Sequence, residues 1–227
     1  GAVGSQSDAP HSGRAFGGAQ LMEDSEQGER YRVLTDELWT AIASRFNGNP
    51  AVAMYDLLNE PMCDVQSTEI DRRIKNEFIY ERLYDTVRAV DEEHIITMEC
   101  IWTAIALPQA FLKGWENVVY QVHFYNNSNF IFNLFALFTK IIYCDVPMYM
   151  GEFYPHQQTT WENCFNFMNK INYSWTLWTY KASNHMFWES DWCLRGAKDG
   201  FHRAKITSAI AIQPRSPKAL LDHTPLA

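Results

Sequence analysis

Five short apolar runs set the fold class of this 227-residue chain: AVAMYDLL at 51–58, HIITMECIW at 94–102, NVVYQVHFY at 117–125, DVPMYMGEFY at 145–154 and NYSWTLWTYK at 172–181. The first reads as continuously apolar rather than alternating, the pattern of a parallel strand buried on both faces, and the others follow it. Segments with helical spacing separate them. Val33, Leu34, Leu38, Ile42 and Phe46 precede the first run and end in the stop signal Asn47-Gly48-Asn49-Pro50. Ile70, Ile74, Phe78, Leu83, Val87 and Val90 predict a long helix after it, residues 131–143 another, and Trp161, Cys164, Phe165 and Met168 a further one. Strands alternating with helices predict an α/β fold with a parallel sheet and helical crossovers. A doubly wound open sheet and a (β/α) barrel both satisfy that pattern.

The strand ends separate the two. Each run finishes in a polar or aromatic cluster: Asn59 and Glu60, Glu99 and Trp102, His123 and Tyr125, Glu152 and Tyr154, Trp178 and Lys181. In a barrel all strand C-termini converge on one face, where loops from several strands assemble a site. No glycine-rich phosphate loop follows any run, which counts against a nucleotide-binding sheet. The barrel is the expected architecture.

Composition narrows the chemistry. With 15% aromatic residues and a net charge of -8, a nucleic-acid groove is not expected, whereas an aromatic, acidic chain suits carbohydrate. Cysteines 63, 100, 144, 164 and 193 are scattered, with no CxxC and no metal-ligand spacing, so neither a disulfide framework nor a metal site is expected. No apolar run reaches the roughly 18 residues of a membrane span. IFNLFALFTKIIY reads as a core helix. Residues 1–30 lack periodicity and read as a long surface loop, 31–205 as the barrel region, and 206–227 as an irregular tail interrupted by Pro214 and Pro217.

Glu60 and Glu152 each stand where a strand leaves the core. Paired carboxyls at one barrel mouth can perform retaining glycoside hydrolysis when about 5–5.5 Å apart, one protonating the leaving oxygen and the other attacking the anomeric carbon. Asn59 is placed to hydrogen-bond a sugar 2-hydroxyl. A lone strand-end glutamate is equally well explained by an ion pair; two of them with His123 and Tyr125 between favour the chemical explanation. The acid must arrive protonated and the nucleophile ionised, and Tyr125 is the expected hydroxyl donor to Glu152. Trp188 and Trp192 either stack on sugars at outer subsites or pack on the barrel rim, and Lys181 contacts sugar hydroxyls or a surface carboxylate. Glu99 either touches substrate or makes an internal hydrogen bond.

DLLNEP, VHFY, MGEF and WTLWTYKA, in this order and spacing, resemble glycoside hydrolase family 5, the cellulase-type family of (β/α)8 barrels. GAVGSQSDAPHSG resembles the loop after the third strand of its β-glucan-acting members. The resemblance implies a partial (β/α)8 TIM barrel with strands four to eight present and the first three absent, its two open edges seeking partners. It implies Glu60 as acid/base, Glu152 as nucleophile, Asn59 as a 2-hydroxyl contact, His123 and Tyr125 orienting the carboxyls, and Trp178 as the stacking platform. The expected substrate is a β-glucan or its oligosaccharides, with no cofactor, nucleic-acid or membrane partner, and the family implies secretion. The family's arginine near the nucleophile and its histidine after strand three have no counterpart here. A truncated, sugar-binding remnant is the alternative expectation.

Overall fold

The computed structural model describes residues 20–61, 68–101, 105–126, 128–153 and 158–176. Five strands form: β1 (Met54–Asp56), β2 (Ile95–Ile101), β3 (Val118–His123), β4 (Met148–Glu152) and β5 (Ser174–Trp175). They make one sheet in the order β1-β2-β3-β4-β5, and every neighbouring pair is parallel. A doubly wound sheet reverses its strand order at a switch point, whereas a barrel keeps chain order throughout. This sheet keeps chain order.

Helices cross between the strands. They are α1 (Glu26–Phe46) before β1, α2 (Glu69–Arg88), the single turn α3 (Ala110–Lys113), α4 (Asn129–Ile142) and α5 (Gln158–Lys170). Capping fixes their starts. Ser25 accepts the Gly28 amide at the head of α1, so that helix begins five residues before the periodic stretch from Tyr31. Thr68 and Asp71 form a reciprocal capping box on α2. The turn α3 closes on Gly114 in the left-handed region and has no apolar period of its own, so periodicity does not reveal it.

The covered helix faces differ from those the apolar spacing predicts. On α1 the buried residues are Gly28, Arg32, Thr35, Trp39 and Ala43, while Val33, Leu34 and Leu38 are exposed. On α2 they are Asn76, Ile79, Tyr80, Leu83 and Val87, with Ile70 70% and Ile74 61% exposed. Residues whose polar ends find fixed partners displace aliphatic ones from these faces. Arg32 donates from Nη1 to the carbonyls of Leu21 and Glu23, and Asn76 donates to the Ala106 carbonyl. The expected core helix α4 likewise covers only Phe132, Ala136 and Thr139, because a helix outside a sheet has one face to bury. Phe130, Leu134, Phe138 and Ile141 are exposed. β1, expected to be buried on both faces, buries Tyr55 on one face and leaves Met54 and Asp56 exposed on the other.

The sheet's N-terminal edge is fixed by Arg88, which donates to the carbonyls of Asp91, His94, Glu116 and Asn117. Tyr55 donates its hydroxyl to Asp91, and His94 Nδ1 lies 2.6 Å from the same carboxylate. Burial alone would raise the Asp91 carboxyl; the His94 and Glu93 amides and the Tyr55 hydroxyl hold it below its ordinary value. Cys100 and Cys164 are buried thiols and Cys144 is an exposed one. No described helix is long and apolar enough to cross a membrane.

Candidate active site

The opposite end of the sheet carries the ionisable groups. Strand β1 stops at Asp56, and the Leu57 amide makes one more ladder bond to the Thr97 carbonyl. Leu57 and Leu58 are buried, Asn59 is exposed, and Glu60 turns back into the protein, only 4% exposed. Its φ of 46° is in the left-handed region, unusual for a residue with a Cβ and of a kind that persists only where surroundings enforce it. Here the enforcing contact is the Glu60 amide, which donates to Glu99 Oε2 at 2.7 Å.

His123 ends β3 and is 1% exposed. Its Nδ1 lies 2.9 Å from Glu60 Oε1, 3.0 Å from Glu99 Oε1 and 3.6 Å from Glu152 Oε2. The last distance depends on a register shift. Val122 pairs with Met150, but His123 pairs with Glu152, so Gly151 is the extra residue of a bulge. Simple alternation along β4 would put Glu152 on the Met150 side of the sheet; the bulge turns it to the His123 side. Tyr125 then donates its hydroxyl to Glu152 Oε2 at 2.5 Å. Burial and the Glu152 carboxylate push the Tyr125 phenol far above its ordinary range, so it acts as a donor only.

Gly151 is required for a second reason. A Cβ there would overlap the buried Gln121 side chain, whose Nε2 donates to Asp56 and faces Glu99. Gly151→Ala must push that carboxamide aside in a packed layer. We expect a loss of about 1–3 kcal/mol, the usual range for overpacking, read as a lowered melting temperature.

Glu99, for which the sequence allows either substrate contact or an internal hydrogen bond, is fully buried on β2. Its backbone N–H donates to the Tyr80 hydroxyl, which in turn donates to the Glu99 carbonyl, so α2 pins the strand end. Burial first, and then the Glu60 and Asp56 carboxylates, raise its carboxyl to about 8 despite the opposing pull of His123. Burial would lower the His123 imidazole, but the carboxylates of Glu99, Glu60 and Glu152 outweigh it and bring it to about 9. Both groups bind protons more tightly folded than free, Glu99 between 4.5 and about 8 and His123 between 6.5 and about 9. Across those windows the folded state holds more protons, so the stability these groups contribute falls as pH rises. We expect the melting temperature to decline from pH 5 to pH 9; a melting temperature that climbs over that interval contradicts these proton assignments.

Glu60, His123 and Glu152 present one ligand atom each within 4.8 Å of one another, a spacing that a metal ion would also fit. The surrounding carboxylates favour the protonated imidazole, and in that form Nδ1–H donates to Glu60 Oε1 and the set is two carboxyls bridged by an imidazolium. Of the residues singled out from sequence, the structure brings Glu60, His123, Tyr125 and Glu152 together and leaves Asn59 exposed beside them. Trp178, Lys181, Trp188 and Trp192 lie outside the described residues.

Glycosidases are among the solved structures similar to this chain. The chain is similar to endo-glycoceramidase II from Rhodococcus sp. in a five-membered iminocyclitol complex, with TM-score 0.63 and 18% identity over 77% of this chain and 45% of that one. The same enzyme as a lactosyl-enzyme intermediate gives TM-score 0.59 and 19% identity over 73% and 44%. A β-glucanase from Saccharophagus degradans in complex with cellotetraose gives TM-score 0.53 and 18% identity over 78% and 60%. The chain thus spans less than half the length of the endoglycoceramidase, and its five strands are a part of a (β/α)8 barrel. Among curated proteins no sequence match was found. The sequence model for the family described as Cellulase (glycosyl hydrolase family 5) matches residues 10–184, more than three-quarters of the chain, and the chain belongs to that family.

Proposed function

We propose that this chain carries the acid/base and the nucleophile of a retaining glycoside hydrolase that cleaves β-glucosidic linkages of a β-glucan or its oligosaccharides. The observation that carries this reading is the Glu60–Glu152 pair, with carboxylate oxygens within 4.8 Å of each other and His123 between them. Inverting enzymes need roughly 6.5–9.5 Å to admit a water, whereas about 5–5.5 Å suits direct attack by one carboxylate.

In the first step Glu60, as the acid, gives its proton to the glycosidic oxygen while the Glu152 carboxylate attacks the anomeric carbon. The glycosidic bond breaks, an ester bond to Glu152 forms, and the leaving sugar departs as a neutral alcohol. In the second step the Glu60 carboxylate takes a proton from water. That water's oxygen displaces Glu152 from the anomeric carbon and restores both residues. The Tyr125 hydroxyl fixes the rotation of the Glu152 carboxylate, and His123 stabilises the negative charge that Glu60 acquires. The β-linked glucose units in the ligands named for the neighbours, cellobiose-like and cellotetraose, support a β-glucoside as substrate, and the lactosyl-enzyme of the endoglycoceramidase supports a covalent intermediate.

An activated 2-fluoro-β-glucoside tests the reading. It should add one fluoroglucosyl mass to the peptide containing Glu152; labelling of Glu60 instead, or of neither, contradicts it.

A further inference from the structure

Beneath the carboxyl pair lies a third carboxyl with an unusual arrangement of partners. Glu99 Oε2 accepts the Glu60 amide at 2.7 Å and lies 3.5 Å from Gln121 Nε2. Its other oxygen, Oε1, has no hydrogen bond although it is buried and lies 3.0 Å from His123 Nδ1. The reason is that the single Nδ1–H is directed to Glu60 Oε1, 2.9 Å away. Two carboxyl oxygens at nearly equal distance thus compete for one proton, and leaving either without a donor in a buried site is costly.

We propose that Glu99 is a positioning residue for Glu60: its Oε2 anchors the Glu60 amide in the left-handed turn, and its Oε1 accepts the His123 Nδ1 proton whenever Glu60 is itself protonated. This rests on the acid/base reading of Glu60 given above. While Glu60 is neutral it needs no donor, and the imidazolium N–H points to Glu99. When Glu60 has given its proton to the leaving oxygen, the N–H returns to the new carboxylate. The charge that develops on Glu60 therefore meets a donor already in place, and no large movement is needed. The other titratable groups facing this cluster are Asp56 from β1, Tyr80 from α2, Cys100 beside Glu99, and Tyr125 and Glu152 beyond His123.

Nitrogen NMR of the His123 imidazole tests the exchange directly in this chain, in Glu60→Gln and in Glu99→Gln. In Glu60→Gln the proton passes to Glu99 and His123 stays an imidazolium at pH 7; a neutral His123 there overturns the proposal. In Glu99→Gln the amide anchor is kept but the charge Glu99 carries above about pH 8, where His123 titrates, is lost; the His123 midpoint falls by about one pH unit, with the alkaline limb of kcat/KM moving to lower pH. If Glu99→Gln fails to fold, the Glu60→Gln reading alone decides. An active parent whose His123 midpoint and pH profile ignore Glu99→Gln overturns this proposal and leaves the hydrolase reading intact. An inactive parent whose His123 responds to both changes does the reverse: the coupling of Glu99 to His123 stands and the hydrolase reading falls.

Discussion

If Glu152 is the nucleophile proposed above, Glu152→Gln should lower turnover by roughly 10⁴–10⁶-fold, the scale expected when a covalent nucleophile is removed, and leave the fold in place. The carboxamide fills the same volume, and its oxygen can still accept the Tyr125 hydroxyl that now reaches Glu152 Oε2 at 2.5 Å. Only the negative charge and the attacking oxygen's basicity are lost. Replacing a charge that faces Glu60, Glu99 and His123 by a neutral group also relieves repulsion among carboxylates, so the melting temperature should hold or rise. The pairing of a large kinetic loss with an unharmed fold is the informative result. Turnover within tenfold of the parent would mean that Glu152 does not attack, and unfolding would mean that it is a structural partner of Tyr125.

His123→Ala should do the opposite, with the larger effect on the fold. The imidazolium is the shared counter-ion of three carboxyls, with Nδ1 within 3.6 Å of each. Removing it leaves buried carboxylates uncompensated and opens a cavity beneath the site. Breaking a buried ion pair by deleting one partner costs about 3–5 kcal/mol, which for a domain of this size lowers the melting temperature by about 6–20 °C. The deficit should be larger at pH 5 than at pH 8, because His123, raised from 6.5 to about 9 in the folded protein, contributes its full stability below pH 6.5 and loses it as the pH climbs toward 9. Differential scanning calorimetry at pH 5 and pH 8 checks both statements. A loss below about 1 kcal/mol at pH 8 would show that His123 is not the counter-ion of this cluster.

What the sequence disclosed and what it hid follow from the same physics. Buried parallel strands read as continuous apolar runs, so AVAMYDLL, HIITMECIW, NVVYQVHFY and DVPMYMGEFY each contain a strand, and their spacing betrays the crossovers. Strand ends carrying Glu60, His123, Tyr125 and Glu152 could be picked out because a carboxylate or imidazole at a core exit needs a partner. Helix orientation could not be read in this way. Apolar spacing selects Ile70, Ile74 and Phe78, yet the face packed inward includes Asn76, which has a carbonyl to bond, and on α1 includes Arg32. The bulge at Gly151 was hidden because a single glycine in a strand does not announce a register shift, although Gly before Glu in MGEF is the available signal. Glu99 was visible as a strand-end carboxylate, but its position under His123 depends on pairing across three strands.

The stereochemistry of the first product tests the central claim most directly. Proton NMR of the anomeric signal during early hydrolysis of a β-glucan oligosaccharide should show the β-anomer first, with the α-anomer growing only by mutarotation. On the proposed retaining reading, carboxylate oxygens within 4.8 Å of each other favour direct attack by Glu152 over attack by an intervening water, so the configuration is kept. An α-anomer formed first would mean that Glu60 and Glu152 do not act as acid and nucleophile across one shared cavity.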